Sequence, residues 1–466
     1  MAGNPGLEPR AREIAAQVRR GERTARQACA AALKIIELRN PGLNAVVQMD
    51  AERSFAEADE VDRRVASREF LPLAGVPYTL KDNLWAAGWR VSQGSRLFSD
   101  FVAPRDAWCV ERFRKAGAVL VGITNCSELA CKGVTDNPLY GVTRNPWDPR
   151  LTPGGSSGGA AAATAAGMAP LALCTDAGGS TRRPAAHVGV VGMKPSLGLV
   201  PYLPHAFPEP NLGISVIGVM AQDVDDAALA LGCLAGYSSD DPYSVPADFD
   251  LEEETSGLRV AWSPDLGCGF PIDADVREAL ESLVARLGVQ ARAAPDWPAG
   301  TGEYPLAAMQ QAGAAAFYGE AARARRAEMD PDVAALIDAG FARTGAEIAE
   351  CVLRREALVA SLARFFERFD LLLAPTAPVT AWPIPLLGPS HIGGRPVGPR
   401  AHAAFTPLFN YCGVPACSVP AGLVRGLPVG IQIIGPRFRD AAVLRYARYI
   451  ESLAAIAATR PPPAGP

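Results

Sequence analysis

Three residues of the sequence have side chains suited to acyl transfer: Lys81, Ser156 and Ser180. A serine hydroxyl is a weak nucleophile and requires a neighbouring base. Histidine usually supplies that base, but none of the four histidines, at positions 187, 205, 391 and 402, lies in a recognisable triad context. Lys81 ends an apolar run, and burial lowers the pKa of a lysine, so that its neutral amine can accept a proton. The alternative is that Lys81 and Asp82 form ordinary ion pairs at a strand end.

Glycine-rich segments surround both serines. The run Gly154–Gly159 contains Ser156, and the segment Asp176–Arg182 contains Ser180 directly after two glycines. Glycine permits positive φ and close approach of the backbone, so backbone N–H groups beside Ser180 can face a carbonyl oxygen, as an oxyanion hole requires. A small-residue helix, predicted over Ala160–Gly167, would let the serine loop pack tightly against a sheet.

The elements that must position these residues alternate between apolar runs and helical patterns. Strands are predicted over Val76–Leu80 and Ala118–Ile123, with a helix over Asp106–Ala116 between them. Further strands are predicted over Val216–Met220, Leu258–Trp262, Leu371–Ala374 and Gly430–Ile434. Interleaved strands and helices predict an α/β fold with a largely buried sheet.

The chain is expected to form one catalytic core with additions at both ends. Residues 1–70 are predicted to be a mainly helical segment that packs on the core, and its second helix is expected to stop at Pro41-Gly42. Residues 71–235 form the predicted core. Residues 236–460 are expected to complete the same sheet, with a helical lobe at about 300–365. The proline-rich tail, residues 461–466, is predicted to be disordered.

Composition narrows the class of protein. The net charge is −4, so no broad basic surface indicates nucleic acid. The ten cysteines form no C-x-x-C pair and no zinc-like set, which is typical of reduced thiols in a cytoplasmic protein. We therefore expect no metal site. The uncharged stretch Leu151–Thr175 is long enough to span a bilayer but consists mainly of small residues, so no membrane segment is predicted.

Several separated motifs, in this order, resemble the amidase signature family, and the resemblance covers about residues 10–452. The four segments that carry it are Gly75-Val76-Pro77, Lys81-Asp82-Asn83, Gly154–Gly159 and Asp176–Ser180. Flanking matches are Thr124-Asn125, Arg144–Trp147, Gly192–Pro195 and Leu427–Gln432. The resemblance implies a large mixed β-sheet, parallel and antiparallel, flanked by helices on both faces. It also implies hydrolysis of a small-molecule amide to an acid and an amine or ammonia, without a cofactor.

The resemblance also implies a role for individual residues. Ser180 would be the acyl-forming nucleophile, and Ser156, after a cis peptide bond, would relay its proton to Lys81. Lys81 would act first as general base and then as general acid. The oxyanion would be held by the backbone N–H groups of Ala177, Gly178, Gly179 and Ser180. Substrate contacts are expected at Ala130 and Ser156, and a structural ion pair between Asp176 and Arg182.

Departures from the family pattern and variable segments bear on the substrate. Cys174 replaces a usual glycine and is expected to be a small buried neighbour, and Thr181 and Ser196 replace other common residues. Arg183 could face the substrate. Pocket walls are expected from Leu203–Ile214 and Leu306–Tyr318, where the apolar side chains are Phe207, Leu212, Met309 and Phe317. A homodimer is possible on sequence grounds, and the acyl and amine parts of the substrate stay open.

Three alternatives remain at this point. Gly154–Gly158 also fits the G-x-S-x-G nucleophile elbow, which Asp370 and His402 would complete, but loop residues precede it where a strand is required. The same loop could bind an anion in a non-catalytic module. Within the family, the chain could be a glutaminase-type subunit of a tRNA-dependent amidotransferase, although Phe405–Asn410 resembles stand-alone amidases. The histidines other than His402 are expected at the surface or in loops.

Overall fold

The computed structural model describes residues 10–202, 210–246, 249, 257–302, 304–454 and 461. Its α-helices, in chain order, are α1 (Ala11–Arg19), α2 (Ala25–Leu43), α3 (Ala51–Ala66), α4 (Trp108–Lys115), α5 (Gly158–Ala165), α6 (Arg182–Val188), α7 (Val224–Leu234), α8 (Ala274–Arg286), α9 (Ala307–Ala324), α10 (Pro331–Phe341), α11 (Gly345–Arg368), α12 (Pro407–Tyr411) and α13 (Asp440–Ala454). Its strands are β1 (Val46–Gln48), β2 (Pro77–Lys81), β3 (Val119–Thr124), β4 (Leu171–Asp176), β5 (Val191–Lys194), β6 (Val216–Ala221), β7 (Val260–Trp262), β8 (Ala291–Arg292), β9 (Leu371–Pro375), β10 (His391–Ile392), β11 (Arg395–Pro396), β12 (Ala416–Val424) and β13 (Leu427–Ile434).

One large mixed sheet organises the molecule. Its eleven strands follow the order β1-β3-β2-β4-β6-β5-β12-β13-β9-β7-β8, and β10 with β11 forms a separate hairpin. Strands β2, β3 and β4 are parallel to one another, whereas β6, β5, β12 and β13 pair in antiparallel fashion. The α/β fold with a mixed sheet flanked by helices is confirmed. Within the residues described, no helix is both long enough and apolar enough to cross a bilayer.

The N-terminal helices begin where the sequence predicts, but α2 ends later than expected. Thr24 caps α2 by accepting a hydrogen bond from the Gln27 N–H at 3.0 Å. The prediction that Pro41 stops this helix is wrong, because the helix continues to Leu43. It ends instead at Asn44, which adopts φ +51° and donates its N–H to the Asn40 carbonyl. A proline in the last turn therefore did not set the boundary; a left-handed residue did.

Parallel pairing of β2 and β4 explains how distant residues meet. Leu80 in β2 lies opposite Leu173 in β4, so the carboxyl ends of both strands reach the same edge of the sheet. Lys81 is the last residue of β2, and Thr175 and Asp176 end β4. The carboxyl edge of a strand group is the usual place for a site in α/β folds.

Helix α5 packs closely behind this edge, as its small residues predict. All eight of its residues are buried. A Cβ atom at Gly159 would lie 2.4 Å from the Asn125 carbonyl oxygen, and one at Gly158 would lie 2.4 Å from Thr135 Oγ1. Only glycine fits at these two positions, so the loop before α5 is held directly against its neighbours.

The two halves of the chain share the sheet. Strand β12 pairs with β5 from Ala416 opposite Lys194 to Ser418 opposite Gly192. The predicted lobe at about 300–365 contains α9, α10 and most of α11. The domain boundaries stay a prediction. The predicted disordered tail, apart from Pro461, lies outside the described residues.

Candidate active site

Lys81 is completely buried at the end of β2 and contacts two hydroxyl groups. Its Nζ lies 2.8 Å from Ser156 Oγ and 3.1 Å from Thr175 Oγ1. The neighbouring Asp82 carboxylate turns elsewhere, where it accepts hydrogen bonds from the N–H groups of Ser92 at 2.9 Å and Gly94 at 3.0 Å. Across the described part of the chain, no carboxylate forms an ion pair with Lys81. The ion-pair alternative for Lys81 is therefore wrong.

The surroundings of Lys81 favour its neutral form. Burial lowers the pKa of Lys81, and the opposing effects of nearby thiols and Asp176 are smaller. Desolvation disfavours the charged form of an amine when no counter-charge replaces water. An amine that loses its proton readily can act as a general base toward the hydroxyl at 2.8 Å.

Ser156 is fixed by the loop that precedes α5. The Gly155–Ser156 peptide bond is cis, as expected, and the Ser156 side chain is fully buried. A Cβ at Gly155 would lie 2.7 Å from the backbone of Val134, so no larger residue fits there. The Ser156 carbonyl accepts a hydrogen bond from the Ser127 N–H at 3.2 Å. The hydroxyl of Ser156 therefore has a defined position beside Lys81.

Ser180 and Ser156 line the same cavity. Ser180 is 8% exposed, whereas Lys81 and Ser156 are fully buried. Ala130, with φ +58°, also lines this cavity. The structure thus brings Ser156, Ser180 and Ala130 to one cavity and sets Lys81 directly behind Ser156.

Asp176 organises the loop that carries Ser180. Its carboxylate accepts hydrogen bonds from the Gly179 N–H at 2.6 Å and from Arg182 at 3.0 Å, and the Asp176 and Arg182 side chains are fully buried. Burial raises the pKa of Asp176, but the charges of Arg182 and Lys194 and the hydrogen bonds from Arg182 and Asn410 together lower it more, so the net pKa is depressed. Asp176 is therefore ionised and holds the loop, which is the supporting arrangement expected of this pair.

The predicted oxyanion donors divide into two groups. Ala177, Gly178 and Ser180 line the cavity. The Gly179 N–H is used by Asp176 in this structure, and Gly179 has φ +113°. A Cβ at Gly179 would lie 2.1 Å from Thr406 Oγ1, which requires glycine there. The oxyanion role of these amides stays a prediction, and the structure gives the Gly179 amide a different partner.

Two supporting residues come from the far end of the chain. Thr406 donates its hydroxyl to the Gly178 carbonyl at 2.7 Å, and Asn410 donates to the Asp176 carboxylate at 2.9 Å. Both lie in the segment that resembles stand-alone amidases, but sequence reasoning gave neither a role. Sequence reasoning also gave no role to Thr175, which precedes Asp176, or to Asn83, which follows Asp82. The Asn83 amide donates a hydrogen bond to Thr175 Oγ1 at 2.9 Å.

Comparison with known proteins identifies the family. The family model described as Amidase matches residues 27–444. This chain belongs to the amidase family. It is therefore a hydrolase of the amidase signature type, and the sequence-based assignment to this family is confirmed.

Similar proteins include enzymes of two kinds. A glutamyl-tRNA(Gln) amidotransferase subunit of Symbiobacterium thermophilum is 35% identical over 92% of this chain and 93% of its own length. An acylamidase of Rhodococcus erythropolis is also 35% identical, over 95% of each chain. The crystal structure of a bacterial aryl acylamidase of the amidase signature family superposes with a TM-score of 0.89 at 30% identity, covering 98% of this chain and all of that one. Sequence identity alone therefore does not separate the two kinds.

The histidines of this amidase differ from expectation. His187 was expected at the surface or in a loop, but it is buried. Both His187 and the buried His402 pack against Trp382, with ring centroids at 5.3 Å and 4.5 Å. His402 also lines the cavity. Burial and then the Arg183 charge lower the pKa of both histidines, that of His187 to about 3, so both rings are neutral. Sequence spacing gave no signal for this pairing.

The two alternatives built on the glycine-rich loop fail in this amidase. Asp370, proposed to complete a nucleophile elbow, lies at the surface in an ion pair with Arg259 at 2.9 Å. The first N–H groups of α5 do not face a free anion site. The Gly158 N–H donates to Thr135 Oγ1 at 2.8 Å, and the Gly159 N–H donates to the Asn125 carbonyl at 3.2 Å.

Both predicted wall segments contribute to the cavity, but through different residues. Lining residues from these segments are Pro210, Asn211, Gln310, Ala314 and Tyr318. The expected apolar side chains lie elsewhere: Leu212 is 42% exposed, Met309 packs in the core, and Phe317 packs against Tyr318. Phe207 lies outside the described residues. The predicted apolar residues that the structure describes were therefore the wrong ones, but the described wall is partly apolar through Leu129, Ala314 and Leu336.

The position of Cys174 keeps its thiol unreactive. It is fully buried beside Thr181, with Sγ at 3.2 Å from Thr181 Oγ1. Burial raises the pKa of the Cys174 thiol to about 12. The thiolate is the reactive form of cysteine, so the expectation of a small buried neighbour is confirmed.

Proposed function

We propose that this chain hydrolyses a carboxylic or urea-like amide through Ser180, with Ser156 and Lys81 as its proton relay. One observation carries the proposal: the buried Lys81 amine, without a carboxylate partner among the described residues, lies 2.8 Å from Ser156 Oγ behind the cavity that Ser180 lines. Burial lowers the Lys81 pKa, which favours the neutral amine that the relay requires.

The first half-reaction forms an acyl-enzyme. Ser180 Oγ attacks the amide carbonyl carbon while its proton passes to Ser156 Oγ, and the Ser156 proton passes to Lys81 Nζ. The carbonyl oxygen becomes an oxyanion, which backbone N–H groups at Ala177, Gly178 and Ser180 would stabilise. As the C–N bond breaks, the leaving nitrogen takes the proton back along the same path. The acyl group then forms an ester with Ser180.

The second half-reaction releases the acid. Water attacks the ester carbonyl, its proton passes through Ser156 to Lys81, and the Ser180 oxygen leaves with a proton returned along the relay. Each residue ends in its starting protonation state, so the cycle needs no cofactor. The same relay serves as base in the attack and as acid in the departure.

A hydrolysis screen with mass detection tests this scheme. Wild-type protein is incubated with aliphatic, aromatic and urea-like amides, and the Ser180 peptide is analysed after rapid acid quench. We expect an acyl adduct on that peptide, and loss of turnover by at least about 1,000-fold in Ser180→Ala. Unchanged folding of the variant, measured by thermal unfolding, is the control. Wild-type rates in Ser180→Ala on every cleaved amide would reject the scheme.

A second candidate is a glutaminase-type subunit that supplies ammonia to a tRNA-dependent partner. The similarity to the Symbiobacterium amidotransferase protein favours it. Glutamine carries an α-ammonium group, and an ammonium in a protein site is usually paired with a carboxylate. The residues that line the cavity in the described parts of the chain include no aspartate or glutamate. The cavity therefore favours a free amidase, and co-purification of partner proteins with glutamine-dependent ammonia release would favour the second candidate.

A further inference from the structure

Two arginines reach the cavity from different parts of the chain and meet at one tyrosine. Arg183 is 4% exposed, and its Nη1 donates to the Gly178 carbonyl at 2.8 Å and to the Tyr304 hydroxyl at 3.3 Å. The guanidinium of Arg400, which is exposed, lies over the Tyr304 ring, 5.5 Å from its centroid. We call Arg183, Tyr304 and Arg400 the arginine–tyrosine cluster. It extends from the loop that carries Ser180 toward solvent.

The charges of this cluster have no counter-charge in the described structure. Within the described ranges, neither Arg183 nor Arg400 forms an ion pair, whereas the neighbouring cation Lys132 pairs with Asp330. The partners of Arg183 are neutral oxygens: the Gly178 and Gly155 carbonyls and the Tyr304 hydroxyl. A buried cation without an anion is unfavourable unless a ligand supplies the anion.

A second observation comes from His402, which lines the same cavity. After burial, the charges that lower the pKa of His402 include those of Arg183 and Arg400. The neutral imidazole therefore lies in a positive field and adds no charge of its own. The described cavity thus combines a positive field with polar groups at Asn211 and Gln310.

We propose that the amide substrate carries a carboxylate, and that this carboxylate binds the arginine–tyrosine cluster while the amide carbonyl lies at Ser180. The inference rests on the proposed function and names its substrate class. Guanidinium groups match carboxylates in shape and donate two parallel hydrogen bonds. The Gly178 carbonyl joins Arg183 to the nucleophile loop, so a bound carboxylate also sets the distance between the anion and the reacting carbon.

Matched substrate pairs test the preference for an anion. On the acyl side, glutaryl para-nitroanilide is compared with pentanoyl para-nitroanilide, in which a methyl replaces the carboxylate. On the amine side, para-acetamidobenzoate is compared with para-methylacetanilide. We expect kcat/KM to favour the anionic member of at least one pair by about tenfold or more, because hydrogen bonds to charged groups are the stronger ones. Raising the salt concentration should reduce this ratio.

Arg400→Gln is the variant that carries the test, because Arg183 also holds two backbone carbonyls and its loss would disturb the loop. In Arg400→Gln the anionic-to-neutral ratio should fall about tenfold. The matched control is Arg395→Gln, because Arg395 is also exposed, lies five positions earlier and does not line the cavity. That control should keep the wild-type ratio. A ratio below about twofold in both wild-type pairs, or equal ratios in Arg400→Gln and wild type, would overturn the proposal.

A binding measurement separates this proposal from the proposed function. Calorimetry on Ser180→Ala compares glutaramate with pentanamide and para-acetamidobenzoate with para-methylacetanilide. The anionic member of at least one pair should bind at least about tenfold more tightly, and the added Arg400→Gln change should remove the difference. Tight glutaramate binding by a protein that cleaves no amide would retain the anion site and reject the hydrolytic scheme. Amide cleavage with an acylated Ser180, but equal binding of the two members within both ligand pairs, would reject the anion site and retain the scheme.

Discussion

Arg182 and Arg183 are consecutive residues at the start of α6, yet their environments differ completely. Arg182 is fully buried and bonded to Asp176, Thr406, Asn410 and Gln432, so that every contact is to the protein itself. Arg183 lines the cavity and has only neutral partners. Arg182 therefore belongs to a closed support, whereas Arg183 belongs to the wall of the cavity. Changes in the support should therefore alter stability, and changes at the cavity should alter turnover.

The largest effect that sharpens this comparison is expected for Lys81→Met. Methionine keeps the volume of the side chain but removes the proposed base, so kcat/KM should fall by about 100-fold to 10,000-fold. Lys194→Met is the matched control, because Lys194 is also fully buried but its Nζ donates to the Pro195 carbonyl at 2.8 Å instead of contacting Ser156. Steady-state kinetics per folded molecule should separate the two. Equal losses in both variants would contradict a special role for Lys81.

The wild-type pH profile follows from the direction of the Lys81 pKa. Burial lowers this pKa, so the neutral amine is present above the lowered value and is lost as pH falls through it. We expect kcat/KM to decline on the acid side as Lys81 becomes protonated, with an apparent pKa below the 10.5 of an ordinary lysine. Measurement of kcat/KM across pH tests this, and a rate that rises as pH falls would contradict it.

Next in size is Asp176→Asn, which tests the closed support. Loss of the carboxylate leaves Arg182 buried without a counter-charge, and the free energy of unfolding should fall by about 3–5 kcal/mol. The pKa of Asp176 is depressed in the folded state, so its contribution is present above the unfolded pKa of about 3.9 and is lost as pH falls toward the folded value. Urea unfolding at pH 7 measures the loss. A variant as stable as wild type would contradict the conclusion that the Asp176–Arg182 pair supports the fold.

A smaller effect is expected at the glycines before Ser180. In Gly179→Ala, alanine would have to adopt φ +113°, and its Cβ would lie only 2.1 Å from Thr406 Oγ1. The backbone strain and the clash together should destabilise the fold by about 3 kcal/mol. Gly178→Ala is the control, because a Cβ at this position would lie 4.0 Å from its nearest atoms. This change should lower the free energy of unfolding by less than about 1 kcal/mol. Chemical unfolding of both variants gives the contrast. Equal stability would show that the Thr406 contact does not constrain the loop.

Short sequence motifs predicted most of the site residues. Lys81, Ser156 and Asp176 each lie in such a motif, and the parallel strands β2 and β4 bring Lys81 and Asp176 to one edge of the sheet. The support from Thr406 and Asn410 lies about 230 positions beyond Asp176. That contact depends on the order of strands in the sheet, which no local pattern encodes.

The arginine–tyrosine cluster shows the same limit at the binding surface. Its members come from three separated segments, at positions 183, 304 and 400. The sequence allowed Arg183 to face substrate, but it gave no reason to join it with Tyr304 or Arg400. The prediction of particular apolar wall residues was also wrong. A hydrophobic residue type predicts burial, but it does not predict which cavity the side chain borders.

The hydrogen bonds from Thr406 and Asn410 have a consequence for dividing this protein. The proposed nucleophile and its proposed relay lie before residue 181, but Thr406 and Asn410, which hydrogen-bond to the loop of Asp176 and Gly178, lie after residue 405. An amino-terminal fragment would contain every side chain of the proposed reaction but would lack the two residues that support their loop. Activity should return only when a complementary carboxy-terminal fragment docks, so a split version of the enzyme would report on reassembly of its own two pieces.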